Sequence, residues 1–167
     1  RLVHFKSNDA GNLAVTIAEF DRAEESLSQA RQLDPYNQES FFASQTSLGL
    51  QGRVEEMREI RNAIAASLGH VPESFRVFVD QSLRYTDALI GYYSGNLETA
   101  ASIFAEAQQG YRMQYPFREH VQALLELGRA EEAARPARRV AGAQVIRASE
   151  RQLPFIEQER LYWMARV

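Results

Sequence analysis

The chain contains no cysteine, a single lysine (Lys6) and no long apolar run. Without cysteine there is no disulfide framework, no thiolate zinc site and no cysteine nucleophile. A cysteine-free chain suits cytoplasm and periplasm alike, and cytoplasm is the expectation taken here. The longest uncharged stretch, residues 40–52, falls short of the ~18 apolar residues a membrane span needs and holds several polar side chains. No membrane partner is expected. A formal charge of −3 and a pI near 5.7 give no general attraction to nucleic acid.

Signatures of chemistry are also missing. His4, His70 and His120 lie far apart and show no metal-ligand spacing such as H-E-x-x-H, and no G-x-S-x-G elbow, phosphate-binding loop or dinucleotide fingerprint occurs. His120 is expected to be a partly buried, hydrogen-bonded imidazole of structural use. The carboxylate pairs Glu24-Glu25, Glu55-Glu56 and Glu131-Glu132 are neighbours in sequence, and neighbours on a helix do not face one another. They read as solvated first helical turns. No cofactor, metal site or catalytic residue is expected, and the chain is read as a non-enzyme.

What the chain does contain is a repeat. The pattern of the stretch opening Phe20-Asp21-Arg22-Ala23 returns in Gly52-Arg53-Val54-Glu55-Glu56-Met57, in Gly95-Asn96-Leu97-Glu98-Thr99-Ala100 and in Gly128-Arg129-Ala130-Glu131-Glu132-Ala133. Ala23, Met57, Ala100 and Ala133 stand 34, 43 and 33 residues apart, so the middle interval carries an insertion. The logic of each copy is a turn residue, then acids that complement the positive end of a helix dipole, then a residue at a helix crossing.

With Leu27, Ala30 and Pro35 following Ala23 at matching intervals, the pattern resembles the second half of a tetratricopeptide repeat. The resemblance covers residues 2–142 well and the remainder loosely. It implies an all-α fold, a right-handed solenoid of antiparallel helix pairs with hairpins at about 1–36, 37–70, 71–112 and 113–142. Residues 143–167 would hold further helices, the start of another repeat or of a longer chain.

Taken in order, residues 2–18 read as an opening helix, Asp21 as the cap of the second, and Asp34-Pro35 as its stop. Helices are then expected near 38–51 and 54–68. With no breaker between Pro72 and Ser94, the insertion is expected to lengthen the next helix to roughly 73–93. Helices near 97–111, 116–127 and from Ala130 follow, with Pro136 expected to kink or restart the last. A helix is expected at 143–153. The apolar tail at 155–167, with Leu161, Tyr162, Trp163 and Met164, is expected to be an uncapped helix available for self-association.

The resemblance also implies where a partner would bind. In this family the first helices line a concave groove, and the corresponding positions are Phe5, Asn8, Asn12, Phe42, Thr46, Tyr85, Leu89, Tyr92, Tyr93, Tyr115, Arg118 and Gln122. Aromatic residues and arginine suit interface hot spots. A stripe of aromatics at helical spacing is equally compatible with a core. The lysine and asparagine clamp of chaperone-binding members is not matched at Asn8, Ala43, Ser82 and Thr86, and only Asn12 agrees. Arg135, Arg138, Arg139, Arg147 and Arg151 form a local basic patch, read as a solvated helix face.

The function implied is a protein- or peptide-binding scaffold module without catalysis, a piece of a larger protein. The alternative is a ligand- or peptide-sensing regulatory domain, since irregular repeats of this kind resemble those attached to bacterial signalling kinases, cyclases and transcription regulators.

Overall fold

Gly52, Gly95 and Gly128, the turn residues of three repeat copies, have positive φ angles of 71°, 77° and 73°. An L side chain disfavours that region, and glycine enters it without a Cβ clash. In a computed structural model that describes residues 19–33, 38–109 and 118–147, each of these glycines separates two helices. The helices are α1 (Phe20–Leu33), α2 (Gln38–Leu50), α3 (Val54–Ser67), α4 (Glu73–Tyr93), α5 (Leu97–Gln109), α6 (Arg118–Glu126) and α7 (Ala130–Arg147). A 3-10 turn at Leu68–His70 follows α3. No strand occurs among the described residues, and no helix there is long and apolar enough to cross a membrane.

Two of the turns are built alike. The amide of Gly52 donates to the Gly49 carbonyl (3.0 Å) and that of Arg53 to the Leu48 carbonyl (2.9 Å). Gly128 donates to Leu125 (3.0 Å) and Arg129 to Leu124 (2.8 Å). This pair of bonds satisfies carbonyls that a helix end would otherwise leave open. The next helix then starts the same way in all four copies, with Ala23, Met57, Ala100 and Ala133 donating to the carbonyls of Glu19, Arg53, Asn96 and Arg129. All four of these recurring residues are fully buried. Residue 19 therefore precedes the first helix, and Asp21 sits within its opening turn, where it complements the dipole instead of capping.

The chain divides into two compact units, Arg1–Ser94 and Gly95–Val167. The division falls inside the 71–112 segment. In the first unit α2 packs on α1, α3 and α4, and α3 packs on α4. Ala23 and Leu27 of α1 meet Ala43 of α2. Phe42 of α2 lies edge-on to Tyr85 of α4, ring centroids 4.5 Å apart, and Leu48, Met57, Leu83, Ala88 and Leu89 are buried. The insertion makes α4 21 residues long against 13 for α2, with the bounds expected from the sequence.

In the second unit α6 packs on α5 and on α7. Ala100, Ala101, Phe104, Val121, Ala123, Leu124, Ala133 and Ala137 form its interior. Of the two outcomes expected at Pro136, a kink or a restart, the restart does not occur: α7 runs from Ala130 to Arg147, past Pro136 and Gly142. Proline removes a single amide donor. Its ring is buried beside Ala133 and Ala137, so apolar burial offsets the missing bond. The expectations for residues 1–18 and for the tail at 155–167 lie outside the described residues.

Candidate functional site

Four helical stripes in the first unit converge on an open groove of about 730 Å³. Glu24, Ser28 and Arg31 line it from α1, and Phe41, Ser44, Gln45 and Leu48 from α2. Glu56, Ile60, Ile64 and Ser67 contribute from α3, and Phe75, Val79 and Ser82 from α4. Each set recurs at three- and four-residue steps, the spacing that keeps side chains on one helix face. Phe75 and Val79 belong to the opening turns of the long α4, so the insertion supplies one wall. Ile60 and Phe75 are 38% and 40% exposed, leaving an apolar lip in water.

The groove's polar groups fall into two kinds. At one end Glu24 and Glu56 are held by Arg53, whose Nε and Nη2 donate to the two Glu56 oxygens (2.7 Å each) and whose Nη1 donates to Glu24. Gln51 Nε2 also donates to Glu24, at 3.2 Å. These charges are mutually satisfied. They hold the Glu56 carboxyl below its usual range and Arg53 above its own, chiefly through the hydrogen bonds between them.

Arg31 and Gln45 differ. Arg31 donates to the neutral hydroxyl of Ser44, which in turn donates to the Ser40 carbonyl (2.8 Å). Burial lowers the Arg31 pKa, opposed in part by Glu24, and no carboxylate among the described residues forms an ion pair with it. Gln45 is fully buried, and neither its Oε1 nor its Nε2 has a hydrogen-bond partner among the described residues. An amide left so costs roughly 1–3 kcal/mol for each unpaired group.

The second unit has its own cleft, of about 790 Å³. It is lined by Glu98 and Ser102 of α5, by His120 and Leu124 of α6, and by Glu132, Arg135 and Pro136 of α7. Arg129, in the turn before α7, also lines it and donates to both Glu132 oxygens (2.7 and 2.6 Å) and to Glu98 (3.1 Å). His120 is 5% exposed, stacks on Phe104 with centroids 5.7 Å apart, and leaves Nδ1 without a hydrogen bond. At Nδ1 the expected hydrogen bond is not made among the described residues, where the ring stacks on Phe104. Burial and then the Arg129 charge push its pKa down to about 4, against a smaller opposing effect of Glu132. The ring is neutral at pH 7. No group of three metal-binding side chains occurs among the described residues.

The residues expected to line a concave groove are distributed differently. Phe42 and Tyr85 are 7% exposed and pack on each other, and Leu89 is fully buried. These three are core, because α2 and α4 press their apolar faces together there. Thr46, Tyr92 and Tyr93 are half-buried, and the two tyrosines meet edge-on with centroids 5.1 Å apart. Arg118 is exposed and Gln122 donates to Glu126 (2.7 Å), both on α6 of the second unit. None of these residues lines either cleft. Phe5, Asn8, Asn12 and Tyr115 lie outside the described residues. Arg135 and Arg138 of the basic patch are exposed.

The first-unit groove was legible only in part. Gln45 in an otherwise apolar stripe with Phe41 and Leu48 was its one signal in the sequence. No family model, curated protein or solved structure matches the chain.

Proposed function

We propose that this chain is a tetratricopeptide-like helical-repeat scaffold, a right-handed solenoid of antiparallel helix pairs, that binds a segment of another protein and performs no catalysis itself. The repeat reading draws support from the recurring positive-φ glycines and from the buried residue five positions after each. The binding reading rests on one observation: the first unit has an open groove with an apolar lip and a fully buried glutamine amide that no described residue pairs with. An apolar lip in water above a covered, unmet amide is suited to an incoming polypeptide, which supplies both apolar side chains and backbone polar groups.

The test is a selection of binders from random twelve-residue peptides, followed by titration of a selected peptide into the isotope-labelled chain. Amide shifts should concentrate in residues 24–31, 41–48, 60–67 and 75–82. Shifts confined to other regions would move the binding surface elsewhere and overturn this reading.

A second reading, a ligand-sensing regulatory domain, draws on the cleft of the second unit and its unpaired His120 nitrogen. A thermal-shift screen of small polar molecules tests it. A stabilising hit that His120→Phe abolishes would favour sensing.

A further inference from the structure

We infer that the first-unit groove takes an extended segment of a partner protein bearing an acidic side chain next to apolar ones. In this arrangement Arg31 receives the carboxylate, Gln45 pairs with a peptide group, and Ile60, Ile64 and Phe75 cover the apolar side chains. The inference rests on the peptide-binding reading above and adds the chemistry of the ligand.

Charge argues for the acid. Among the described residues, Arg31 is the groove cation that no carboxylate pairs with, since Arg53 is matched by Glu24 and Glu56. Half-buried and bonded there to the Ser44 hydroxyl, its guanidinium has lost part of its hydration with no described opposite charge in contact. A carboxylate brought there forms a charge-assisted bond in a partly dry site, where such bonds are strongest. The opposite end of the groove carries two carboxylates against one arginine, so a multiply charged anion such as a phosphate cluster is repelled from it.

The glutamine argues for an extended backbone. A side-chain amide offers one acceptor and two donors. That is the complement of a peptide unit whose C=O and N–H are both unmet, as they are in an extended segment. A bound helix would present neither, because its backbone bonds are internal. In the free chain both Gln45 amide atoms are covered, so the segment displaces groove side chains to reach them. In this arrangement the complex satisfies a group that no described residue of the free chain pairs with.

The experiment uses the whole chain and two libraries of random twelve-residue peptides, acetylated and amidated so that no terminal charge exists. They differ only in that Asp and Glu of one are replaced by Asn and Gln in the other. Binders should come from the acidic library, and neutralising the acid in a selected peptide should weaken binding about tenfold, the effect of one lost charge pair at an interface. Arg31→Gln should remove that dependence, so that both peptide forms then bind alike. Gln45→Leu should weaken binding while raising the unfolding temperature of the free chain, a combination that a purely structural glutamine would not give.

Equal recovery from both libraries, with binding lost in the surface variant Ile60→Asp, would overturn the acidic preference and leave the peptide-binding reading standing. The acidic preference fails in the same way if only peptides with a free C-terminal carboxylate bind. Binding unchanged by Gln45→Leu would overturn the role of Gln45. Failure of both libraries, or binders indifferent to Ile60→Asp, would bring down the peptide-binding reading itself. Circular dichroism of each variant separates lost binding from lost fold.

Discussion

Arg53 and Arg129 hold the same place in two separate turns and make the same set of contacts. Each follows a glycine with positive φ, donates its amide to the carbonyl five residues back, and grips the glutamate three residues on with two side-chain bonds. Each then reaches with Nη1 to a glutamate of an earlier helix, Glu24 from Arg53 and Glu98 from Arg129. The recurrence in the sequence is thus a recurrence of contacts. In these two copies the second acid of the pair, Glu56 or Glu132, serves to fix this arginine as well as to complement the dipole.

The turn glycines should be irreplaceable for a conformational reason alone. Gly52→Ala and Gly128→Ala meet no neighbour within 4 Å, so any loss comes from φ. Each should cost about 1–2 kcal/mol, the penalty of the left-handed region for an L residue. Gly69→Ala is the control, being also in open space but without a positive φ. It should be neutral or stabilise by about 0.4–1 kcal/mol by restricting the unfolded chain. Urea denaturation of the three variants decides it, and equal effects at all three sites would refute the turn argument.

The aromatic residues expected in a binding groove should behave as two sets. Tyr85→Ala opens a hole beside Phe42 in the contact of α2 with α4. A loss of roughly 3–5 kcal/mol is expected for truncating such a ring. Tyr92→Ala removes a half-buried ring and should cost distinctly less. If Tyr85→Ala leaves the denaturation midpoint near that of the unaltered chain, the ring is not core.

How much of the fold and groove is legible in the sequence varies with the kind of signal. The bounds of α4 follow from breakers alone, because Pro72 and Ser94-Gly95 enclose a stretch without proline or glycine save Gly91. The buried slots at Ala23, Met57, Ala100 and Ala133 follow from periodicity. The groove does not, because its walls come from α1, α2, α3 and the added turns of α4, and spacing within one helix does not say which stripe of another faces it. Phe42 and Gln45 show the difficulty. Both are buried on α2 three residues apart, yet one packs on Tyr85 and the other lines the groove. At Pro136 the sequence does not say whether the helix continues for a related reason, since burial of its ring is a tertiary fact.

Gly49 makes a further, local test of packing. A Cβ added there would stand 2.2 Å from the ring of Tyr93, far inside contact distance. Gly49→Ala must therefore push the half-buried tyrosine aside. A cost of about 1–3 kcal/mol is expected for such overpacking. Gly49→Ala combined with Tyr93→Ala should be less destabilised than the two separate losses summed, because the second change removes the clash. Strict additivity in the double mutant would show that the two do not meet.

His120 should make the stability of the second unit fall on mild acidification. Its folded-state pKa is depressed to about 4 from an ordinary 6.5, first by burial and then by Arg129. Between those values the unfolded chain binds a proton that the folded chain does not, so stability is fully present above pH 6.5 and declines as pH falls towards 4. At about 1.4 kcal/mol per pH unit, the whole interval is worth roughly 3.5 kcal/mol at most. Glu132 is also held low by Arg129, but its contribution is lost only below the usual carboxylate range, so the two windows are separable. His120→Phe keeps a ring against Phe104 and removes the titration. It should flatten the dependence of the denaturation midpoint between about pH 6.5 and 4.5 while leaving the steeper loss below about pH 4 in place. A slope unchanged by the substitution would show that another group binds the proton, and that His120 is not the buried neutral imidazole its surroundings make it.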